Sequence, residues 1–175
     1  MTQADLLPQV FIVAGAAASG KSTYAKKLGA TYGITILDLD DGLAQLITQN
    51  QDHISDVGME SFLAEIRDYR YADLQQRGIK KVNEGISIAL VAPFTRHIRE
   101  HQLWKDLCDP FRALGIEPKL HWVSIDSVVQ SARLAQRGAQ RDTEKIATKE
   151  NLLNFVSSID NSPPIHPYDH IDGGI

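Results

Sequence analysis

An eight-residue segment near the amino end has the composition and spacing of a loop that binds phosphate groups. Residues 15–22 read Gly-Ala-Ala-Ala-Ser-Gly-Lys-Ser, which matches the pattern G-x-x-x-x-G-K-[ST] without a gap. They follow a continuous apolar run, Val10–Ala14, and precede a helical pattern that begins at Lys21. Glycine permits the backbone angles with which successive N–H groups can point at one anion, and the start of a helix adds its positive dipole end. This segment, the P-loop below, therefore predicts phosphate binding.

The side chains of the P-loop indicate a nucleoside triphosphate with magnesium. In such loops the lysine, here Lys21, reaches the β- and γ-phosphates, and the hydroxyl of Ser22 coordinates Mg²⁺. We therefore expect ATP and Mg²⁺ to bind, with Lys21 catalytic and Ser22 a metal ligand. The residues expected to contact the nucleotide are Gly15, Ala16, Ala17, Ala18, Ser19, Gly20, Lys21, Ser22 and Thr23. The alternative is a chance match of four fixed positions, which average composition would produce in roughly one such chain in a few hundred.

Two carboxylates, Asp38 and Asp40, follow the second predicted strand, and their spacing would put both side chains on one face of an extended chain. Ligands collect beyond the carboxyl ends of parallel strands, which would place this pair opposite the P-loop. We expect Asp40 to act as the base or orienting group for an attacking hydroxyl, and Asp38 to support Mg²⁺ or the acceptor. The third predicted strand ends at residues 91–93 and contributes no aspartate there. Metal binding therefore depends more strongly on Asp38 and Asp40. The alternative is that Asp40 or Asp41 caps the following helix.

Arginines form two further groups of candidates. Arg137 and Arg141 lie in a polar segment, where they could close on the nucleotide phosphates and stabilise the charge that develops in phosphoryl transfer. The arginines expected to hold the acceptor, on the long predicted helix or after the third strand, are Arg67, Arg70, Arg96 and Arg99. Such a cluster favours a phosphorylated, sulfated or carboxylated acceptor over a neutral sugar. The alternative for each of these arginines is a solvated surface position.

The composition limits the class of protein. A chain of 175 residues with 43% hydrophobic and 23% charged residues predicts one globular domain over residues 1–175. The formal net charge of −4 argues against nucleic acid as a partner. The single cysteine, Cys108, excludes an internal disulfide and a zinc site built on cysteines. No basic residue precedes Lys21 and no apolar run approaches about 18 residues, so we expect no signal peptide, no membrane span and a cytoplasmic location.

Short β-rich runs alternate with helical patterns, which predicts an α/β fold in which helices cover both faces of a parallel sheet. We expect this three-layer α/β/α arrangement to hold about five strands. The predicted strands are 10–14, 34–37, 86–91, 119–125 and a short one at 170–171. The predicted helices are 21–32, 42–50, 59–83, 96–108, one that Ser127 caps with Gln130 in capping-box spacing, and one over 141–158. Residues 133–148 are expected to form a small helical lid.

Motifs that are absent exclude several classes of nucleotide-binding protein. The chain contains no N-K-x-D, no D-x-x-G and no L-S-G-G-Q, which argues against Ras-like GTPases and ABC ATPases. At 175 residues it is also short for an AAA+ module. These exclusions leave the small P-loop kinases, which combine a compact core with a lid.

Four segments together resemble the small-molecule kinases of the P-loop class, such as gluconate kinase, shikimate kinase, adenylylsulfate kinase and the zeta-toxin group. They are the P-loop, Asp38-Leu39-Asp40, Val91–Arg96 with Arg99, and Arg133–Arg141. The resemblance implies ATP-dependent transfer of the γ-phosphate to a hydroxyl of a small acceptor, with the backbone of residues 169–174 near the adenine. Two alternatives stay open: a kinase of a nucleotide or a nucleic-acid 5′ end, and a non-catalytic regulatory protein that binds nucleotide.

Overall fold

The computed structural model describes residues 6–137 and 159–174. Its helices and strands in chain order are β1 (Val10–Ala14), α1 (Lys21–Tyr32), β2 (Thr35–Asp38), α2 (Leu43–Gln49), α3 (Gln51–Val57), α4 (Met59–Asn83), β3 (Ile88–Val91), α5 (His101–Arg112), β4 (Lys119–Ser124), α6 (Ser127–Arg137) and β5 (Asp169–Asp172). Within these residues, no helix has both the length and the apolar character that crossing a membrane requires.

The five strands form one parallel sheet in the order β2-β3-β1-β4-β5. Strand β1 lies in the middle, with Val10 opposite Ile88 of β3 and Phe11 opposite Lys119 of β4. Parallel neighbours require crossovers over the faces of the sheet, and helices provide them. The α/β fold with five parallel strands is therefore confirmed. The carboxyl ends of β1, β2 and β3 share one edge of the sheet, and the P-loop and Asp38 lie at that edge.

Side chains alternate along the strands between two hydrophobic clusters on opposite faces of the sheet. One cluster contains Ile12 and Leu90 together with Leu74 of α4 and Phe111 of α5. The other contains Val13 and the buried side of α1. Because both faces of the central strands are covered, these strands are continuous apolar runs rather than alternating ones. The three-layer arrangement predicted from the sequence follows from these two clusters.

Helix α5 continues through a proline because α4 supplies the missing hydrogen bond. Pro110 has no N–H to donate to the carbonyl of Asp106 one turn earlier. The side-chain amide of Gln75 on α4 donates instead to the carbonyl oxygen of Asp106 at 2.8 Å and to that of Leu107 at 3.0 Å. A break at Pro110 is thereby avoided, and α4 is fixed against α5.

Several predicted helix bounds are wrong. The helix expected over 96–108 begins at His101 and ends at Arg112. Phe94 has a left-handed φ of 49° and Glu100 is extended, so the residues between them form turns instead. A separate helix, α3, follows α2 and is absent from the sequence prediction. The helix expected over 141–158 lies outside the described residues, as does the lid segment beyond Arg137.

Helix α6 is capped by Asp126 and not, as predicted, by Ser127. One carboxylate oxygen of Asp126 accepts a hydrogen bond from the N–H of Val128 at 2.8 Å, and its carbonyl accepts one from the N–H of Gln130 at 2.9 Å. Ser127 is the first helical residue. The side chain of Gln130, predicted to complete a capping box, is instead buried beside the P-loop.

The contact between α4 and the sheet depends on a glycine, and this gives a first prediction. A Cβ at Gly78 would lie 2.9 Å from Cδ1 of Ile88 and 3.0 Å from Cδ2 of Leu90. Gly78→Val adds two further carbons to this buried contact, and we expect it to lower the free energy of unfolding by about 2–3 kcal/mol. The measurement is urea unfolding followed by circular dichroism. Ala72→Val, at an exposed position of α4, should cost less than about 1 kcal/mol, and equal losses would contradict the argument.

Candidate active site

The P-loop connects β1 to α1 and passes so close to neighbouring backbone that its two outer glycines have no room for a side chain. A Cβ on Gly15 would overlap the carbonyl oxygen of Val123 in β4. A Cβ on Gly20 would lie 2.8 Å from the carbonyl oxygen of Gly173, and Gly20 also has a left-handed φ of 98°. Helix α1 starts at Lys21, so the N–H groups of its first residues adjoin the loop, where an anion can bind.

The polar groups inside the P-loop fit a bound phosphate. The ammonium group of Lys21 donates a hydrogen bond to the carbonyl oxygen of Ala16 at 2.8 Å, and the N–H of Ser19 donates to the same oxygen at 3.2 Å. The hydroxyl of Ser19 is 1% exposed and has no hydrogen-bond partner in the part of the chain that the structure describes. A buried hydroxyl normally has a partner, and a phosphate oxygen in the loop would supply one.

The outer side of the P-loop packs against the turn that follows β5. A Cβ on Gly173 would overlap the carbonyl oxygen of Ser19, so only glycine fits this contact. The N–H of Gly173 donates to the carbonyl of Ser124 at 2.8 Å, and the guanidinium of Arg133 donates to the carbonyl of Gly173 at 2.9 Å. Backbone from the far end of the chain thus supports the loop that begins at Gly15.

A cavity of about 310 Å³ lies between α1 and this turn. The residues that line it are Gly20, Thr23, Tyr24, Lys27, His170, Ile171, Asp172 and Gly173. The cavity adjoins the P-loop at Gly20, so a nucleoside attached to phosphates in the loop could enter it. That the backbone of residues 169–174 contacts adenine stays a prediction.

The carboxylates after β2 are close together, although not for the predicted reason. Strand β2 ends at Asp38, and Asp40 lies in the following turn rather than on the same face of a strand. Asp38 Oδ1 accepts a hydrogen bond from the N–H of Asp40 at 2.9 Å, and Asp41 Oδ2 accepts one from the N–H of Asp38 at 3.0 Å. Neither Asp40 nor Asp41 caps α2 with its side chain, because the N-cap is Gly42 without a side-chain hydrogen bond.

The carboxyl group of Asp38 differs electrostatically from an ordinary aspartate. Partial burial raises its pKa above the usual value, and the neighbouring carboxylates of Asp40 and Asp41 raise it further. The N–H of Asp40 and the charge of Lys21 act in the opposite direction. The Asp38 carboxylate therefore interacts electrostatically with the P-loop lysine at the edge of the sheet where the strands end.

Two arginines of α4 hold the turn after β2 in place. Arg70 donates to Asp40 Oδ1 at 2.8 Å and to the carbonyl of Leu39 at 3.1 Å. Arg77 donates to the carbonyl of Asp38 and to Asp41 Oδ2, each at 3.2 Å. Sequence analysis did not single out Arg77. Its position seven residues after Arg70, on the same side of a helix, is a signal that could have identified it.

The loop between β3 and α5, residues 92–100, contains a strained residue beside the turn after β2. Phe94 is fully buried with a φ of 49°, a conformation that costs a residue with a Cβ roughly 1–3 kcal/mol. Its N–H donates to the hydroxyl of Tyr71 on α4 at 3.2 Å, and the Tyr71 ring lies 4.5 Å from the ring of His97. Tyr71 therefore fixes this loop against α4. The sequence carried no signal for this role.

The four arginines predicted to bind the acceptor are placed in different ways. Arg67 pairs with Asp68 at 3.3 Å and Arg96 with Glu100 at 3.1 Å, all of them exposed. Both arginines are also close enough to His97 to affect its pKa. Arg70 is largely buried against Asp40, and Arg99 donates to the carbonyl oxygens of Thr95 and Ser162. The structure thus brings Arg67 and Arg96 close to His97 in one loop and places Arg70 at the turn after β2, while Arg99 joins that loop to residues 159–162.

The remaining predicted site residues are only partly described. Ser22 and Thr23 are exposed on the first turn of α1, and Arg137 is exposed at the end of α6. Arg141 lies outside the described residues. Within residues 6–137 and 159–174, no group of three or more His, Cys, Asp or Glu side chains could hold a metal ion. This is compatible with Mg²⁺, which is usually held by phosphates, water and only one or two protein ligands.

Burial of His97 predicts a loss of stability in mild acid. Burial, assisted by the charges of Arg96 and Arg67, lowers the pKa of His97 to about 4 from an ordinary 6.5. The unfolded chain therefore binds a proton between pH 6.5 and 4 that the folded chain does not, and stability falls as the pH falls through this window. We expect His97 to account for about 3 kcal/mol of that loss.

The loss is measured as the free energy of urea unfolding at pH 7 and at pH 4.5. His97→Phe should reduce the difference between the two values, because a phenyl ring takes up no proton. Thr95→Val, at an exposed residue of the same loop that takes up no proton, should leave the difference unchanged. An unaltered pH dependence in His97→Phe would mean that His97 is not the source.

Comparison with known proteins places this geometry in a family. A family model for an AAA domain matches residues 10–161, which is most of the chain, and the chain therefore belongs to that family. This match conflicts with the expectation that 175 residues are too few for an AAA+ module. Chain length was therefore a wrong criterion for excluding that class. No curated protein matches the sequence.

Several solved structures with a similar fold carry the names of different kinases. A presumed kinase from Chloroflexus aurantiacus is 16% identical with a TM-score of 0.66, over 96% of this chain and 85% of that one. A gluconokinase from Sinorhizobium meliloti is 12% identical with a TM-score of 0.57, over 97% and 85%. A shikimate kinase from Bacteroides thetaiotaomicron is 14% identical with a TM-score of 0.56, over 86% and 76%. These similarities confirm the P-loop kinase-like fold that the sequence predicts.

Proposed function

We propose that the protein is an ATP-dependent phosphotransferase that transfers the γ-phosphate of ATP to a hydroxyl group of a small anionic metabolite. One observation carries the proposal: the P-loop follows β1 and the Asp38 carboxylate ends β2 at the same edge of the parallel sheet, where ligands of such sheets bind. A cation that binds phosphate beside a carboxylate of raised pKa is what phosphoryl transfer to a hydroxyl requires. A domain of this kind acts in the cytoplasm, where ATP and Mg²⁺ are abundant, and this location is part of the proposal.

The donor half of the site consists of the P-loop, Ser22 and Thr23. In this proposal the loop amides and Lys21 bind the β- and γ-phosphates, and the exposed hydroxyl of Ser22 is a ligand of Mg²⁺. When bound, Mg²⁺ neutralises phosphate charge and orients the phosphate chain. Arg137 and Arg141 stay candidates for contacts with the same phosphates.

The acceptor half of the site gives reason to exchange the roles assigned to the two carboxylates. The Asp40 carboxylate already accepts a hydrogen bond from Arg70, which suits a group that orients an arginine. Burial raises the pKa of Asp38, so its carboxylate accepts a proton more readily than that of an ordinary aspartate. We therefore assign the role of the base to Asp38. The sequence instead indicates Asp40 for that role, with Asp38 supporting Mg²⁺ or the acceptor. The two assignments differ in the variant that should lose more activity.

The weak, exposed ion pairs of the arginines around the loop of residues 92–100 favour an anionic acceptor. Arg67 pairs with its neighbour Asp68 on α4, and Arg96 pairs with Glu100 in the loop. Both ion pairs are exposed, and such pairs contribute about 0–1 kcal/mol to stability. Exchange of these partners for a carboxylate, phosphate or sulfate of the acceptor therefore costs little. Arg70 and Arg99 stay candidates, although both already bind backbone carbonyls.

A screen of acceptor-dependent ADP release tests the proposal. The panel pairs hydroxyl-bearing carboxylates, phosphate esters and sulfate esters with their neutral analogues, and includes nucleoside monophosphates and an oligonucleotide with a free 5′-hydroxyl. We expect at least one anionic metabolite to raise ADP release more than about tenfold over its neutral analogue. Release only with the oligonucleotide would assign a nucleic-acid 5′ end as the substrate. ATP binding without any acceptor-dependent release would identify a regulatory protein instead.

A further inference from the structure

A buried glutamine on α6 contacts the P-loop from outside. Gln130 is 1% exposed and lies one turn before the buried Leu134, on the face of α6 that packs inward. Its side-chain N–H donates to the carbonyl oxygen of Ala17 at 2.8 Å. Its side-chain oxygen accepts a hydrogen bond from the amide of Asn161 at 3.1 Å. A buried amide with both ends hydrogen bonded holds its partners in a fixed arrangement, and an apolar residue in its place could not.

The bond to Ala17 fixes the direction of a P-loop amide. The peptide group between Ala17 and Ala18 is planar and trans, so its carbonyl and its N–H point in opposite directions. With the carbonyl held towards α6, the N–H of Ala18 points away from α6. Ala18 also has a φ of 60°, a left-handed conformation that a residue with a Cβ adopts only where its surroundings impose it. Gln130 is one of the contacts that impose it.

The second bond of Gln130 connects the P-loop to the loop of residues 92–100. Asn161 belongs to a segment in which Ser162 accepts a hydrogen bond from Arg99 through its carbonyl oxygen. In the same segment the N–H of Ile165 donates to the carbonyl of Ile98 at 2.9 Å. Hydrogen bonds therefore connect Ala17 through Gln130 to Asn161, and the residues that follow Asn161 in the chain bond to the loop that the proposed function assigns to the acceptor.

We propose that Gln130 is a positioning residue for the phosphate chain of the donor. It orients the peptide between Ala17 and Ala18 so that the loop amides can bind phosphate, and Asn161 holds Gln130 in that orientation. The inference rests on the proposed function, because it supposes that the P-loop binds the phosphates of ATP. It predicts that loss of either hydrogen bond weakens phosphate binding specifically and leaves the chemical step intact.

The test is calorimetry with tripolyphosphate and Mg²⁺, a probe that has phosphates but no nucleoside. Gln130→Leu keeps the volume and loses both bonds, and we expect its Kd for tripolyphosphate to rise about tenfold. Asn161→Ala, at an exposed position, should fold normally and raise the Kd about threefold. In turnover assays the KM for ATP should rise in both variants while kcat at saturating ATP changes less than about twofold. Gln76→Leu, at an exposed position of α4, is the matched control and should bind as the wild type does.

The outcomes separate this inference from the proposed function. An unchanged Kd in either folded variant would overturn the role of Gln130, even if the wild type proves to be a kinase. A fall in kcat at unchanged KM would also overturn it. If Gln130→Leu does not fold, Asn161→Ala decides alone. Failure of the wild type to bind tripolyphosphate at millimolar Mg²⁺ would instead refute the proposed function.

Discussion

Replacement of Lys21 by alanine is expected to reduce acceptor-dependent ADP release by about 10²–10³-fold. Lys21 is the lysine of the phosphate-binding pattern, and its ammonium group donates to the carbonyl oxygen of Ala16 at 2.8 Å. A bound phosphate chain would present negatively charged oxygens to this group. Because negative charge shifts among the phosphate oxygens during transfer, kcat should fall more than binding weakens. Initial rates of ADP release at saturating ATP, with a circular-dichroism check of folding, give the measurement.

Lys26→Ala provides the matched control, because Lys26 is exposed on α1 and lies outside the site. It should keep the wild-type rate within about twofold. A Lys21→Ala protein that is folded and retains more than about a tenth of the rate would show that phosphates do not bind where the P-loop indicates. Nucleotide binding would then have to be sought elsewhere on the protein.

Asp38→Asn is expected to lower kcat by about 10²–10⁴-fold, the usual contribution of a general base. Asparagine keeps the shape and the oxygen that accepts from the N–H of Asp40, so the turn should persist. The raised pKa of Asp38 adds a pH signature. In the wild type the acid limb of kcat/KM should lie above the ordinary aspartate value, since activity falls once this carboxylate is protonated as the pH decreases.

Asp40→Asn distinguishes the two assignments of the base. If Asp40 only orients Arg70, its variant should lose less than about tenfold in kcat and should keep the acid limb. The reverse order of losses would restore the assignment made from the sequence. The comparison requires pH–rate profiles of both variants, each with urea unfolding to show that the ion pair with Arg70 is not simply needed for folding.

The parts of the molecule that the sequence predicts well are those in which neighbours along the chain decide the structure. The P-loop needs only a buried strand, two glycines and a helix start, all within residues 10–32, and each is where the pattern predicts it. The central strands β1 and β3 could be predicted because continuous apolar runs are the consequence of burial on both faces. The predicted β2 is one residue early, and this shift obscured the turn in which Asp40 lies.

The errors arise where distant residues decide. Residues 96–108 have the local pattern of a helix. Phe94, which is buried, left-handed and hydrogen bonded to Tyr71, nevertheless makes the chain form turns before the helix begins at His101. Local capping rules assigned Gln130 to the start of its own helix, whereas its partners are Ala17 and Asn161. A polar residue on the apolar face of α6 was the only signal. The arginines could be listed but not ranked, because the contacts that bury Arg70 and Arg99 involve residues distant in sequence.

The close contact of Gly173 with the carbonyl of Ser19 has a consequence for how the protein matures. The P-loop, residues 15–22, is synthesised long before Gly173, the residue that packs against it. During synthesis a nascent chain would carry the complete motif long before it could hold a nucleotide tightly. Contacts so distant in sequence form late and slowly. Ligand binding would therefore report the synthesis of Gly173 rather than the appearance of the motif.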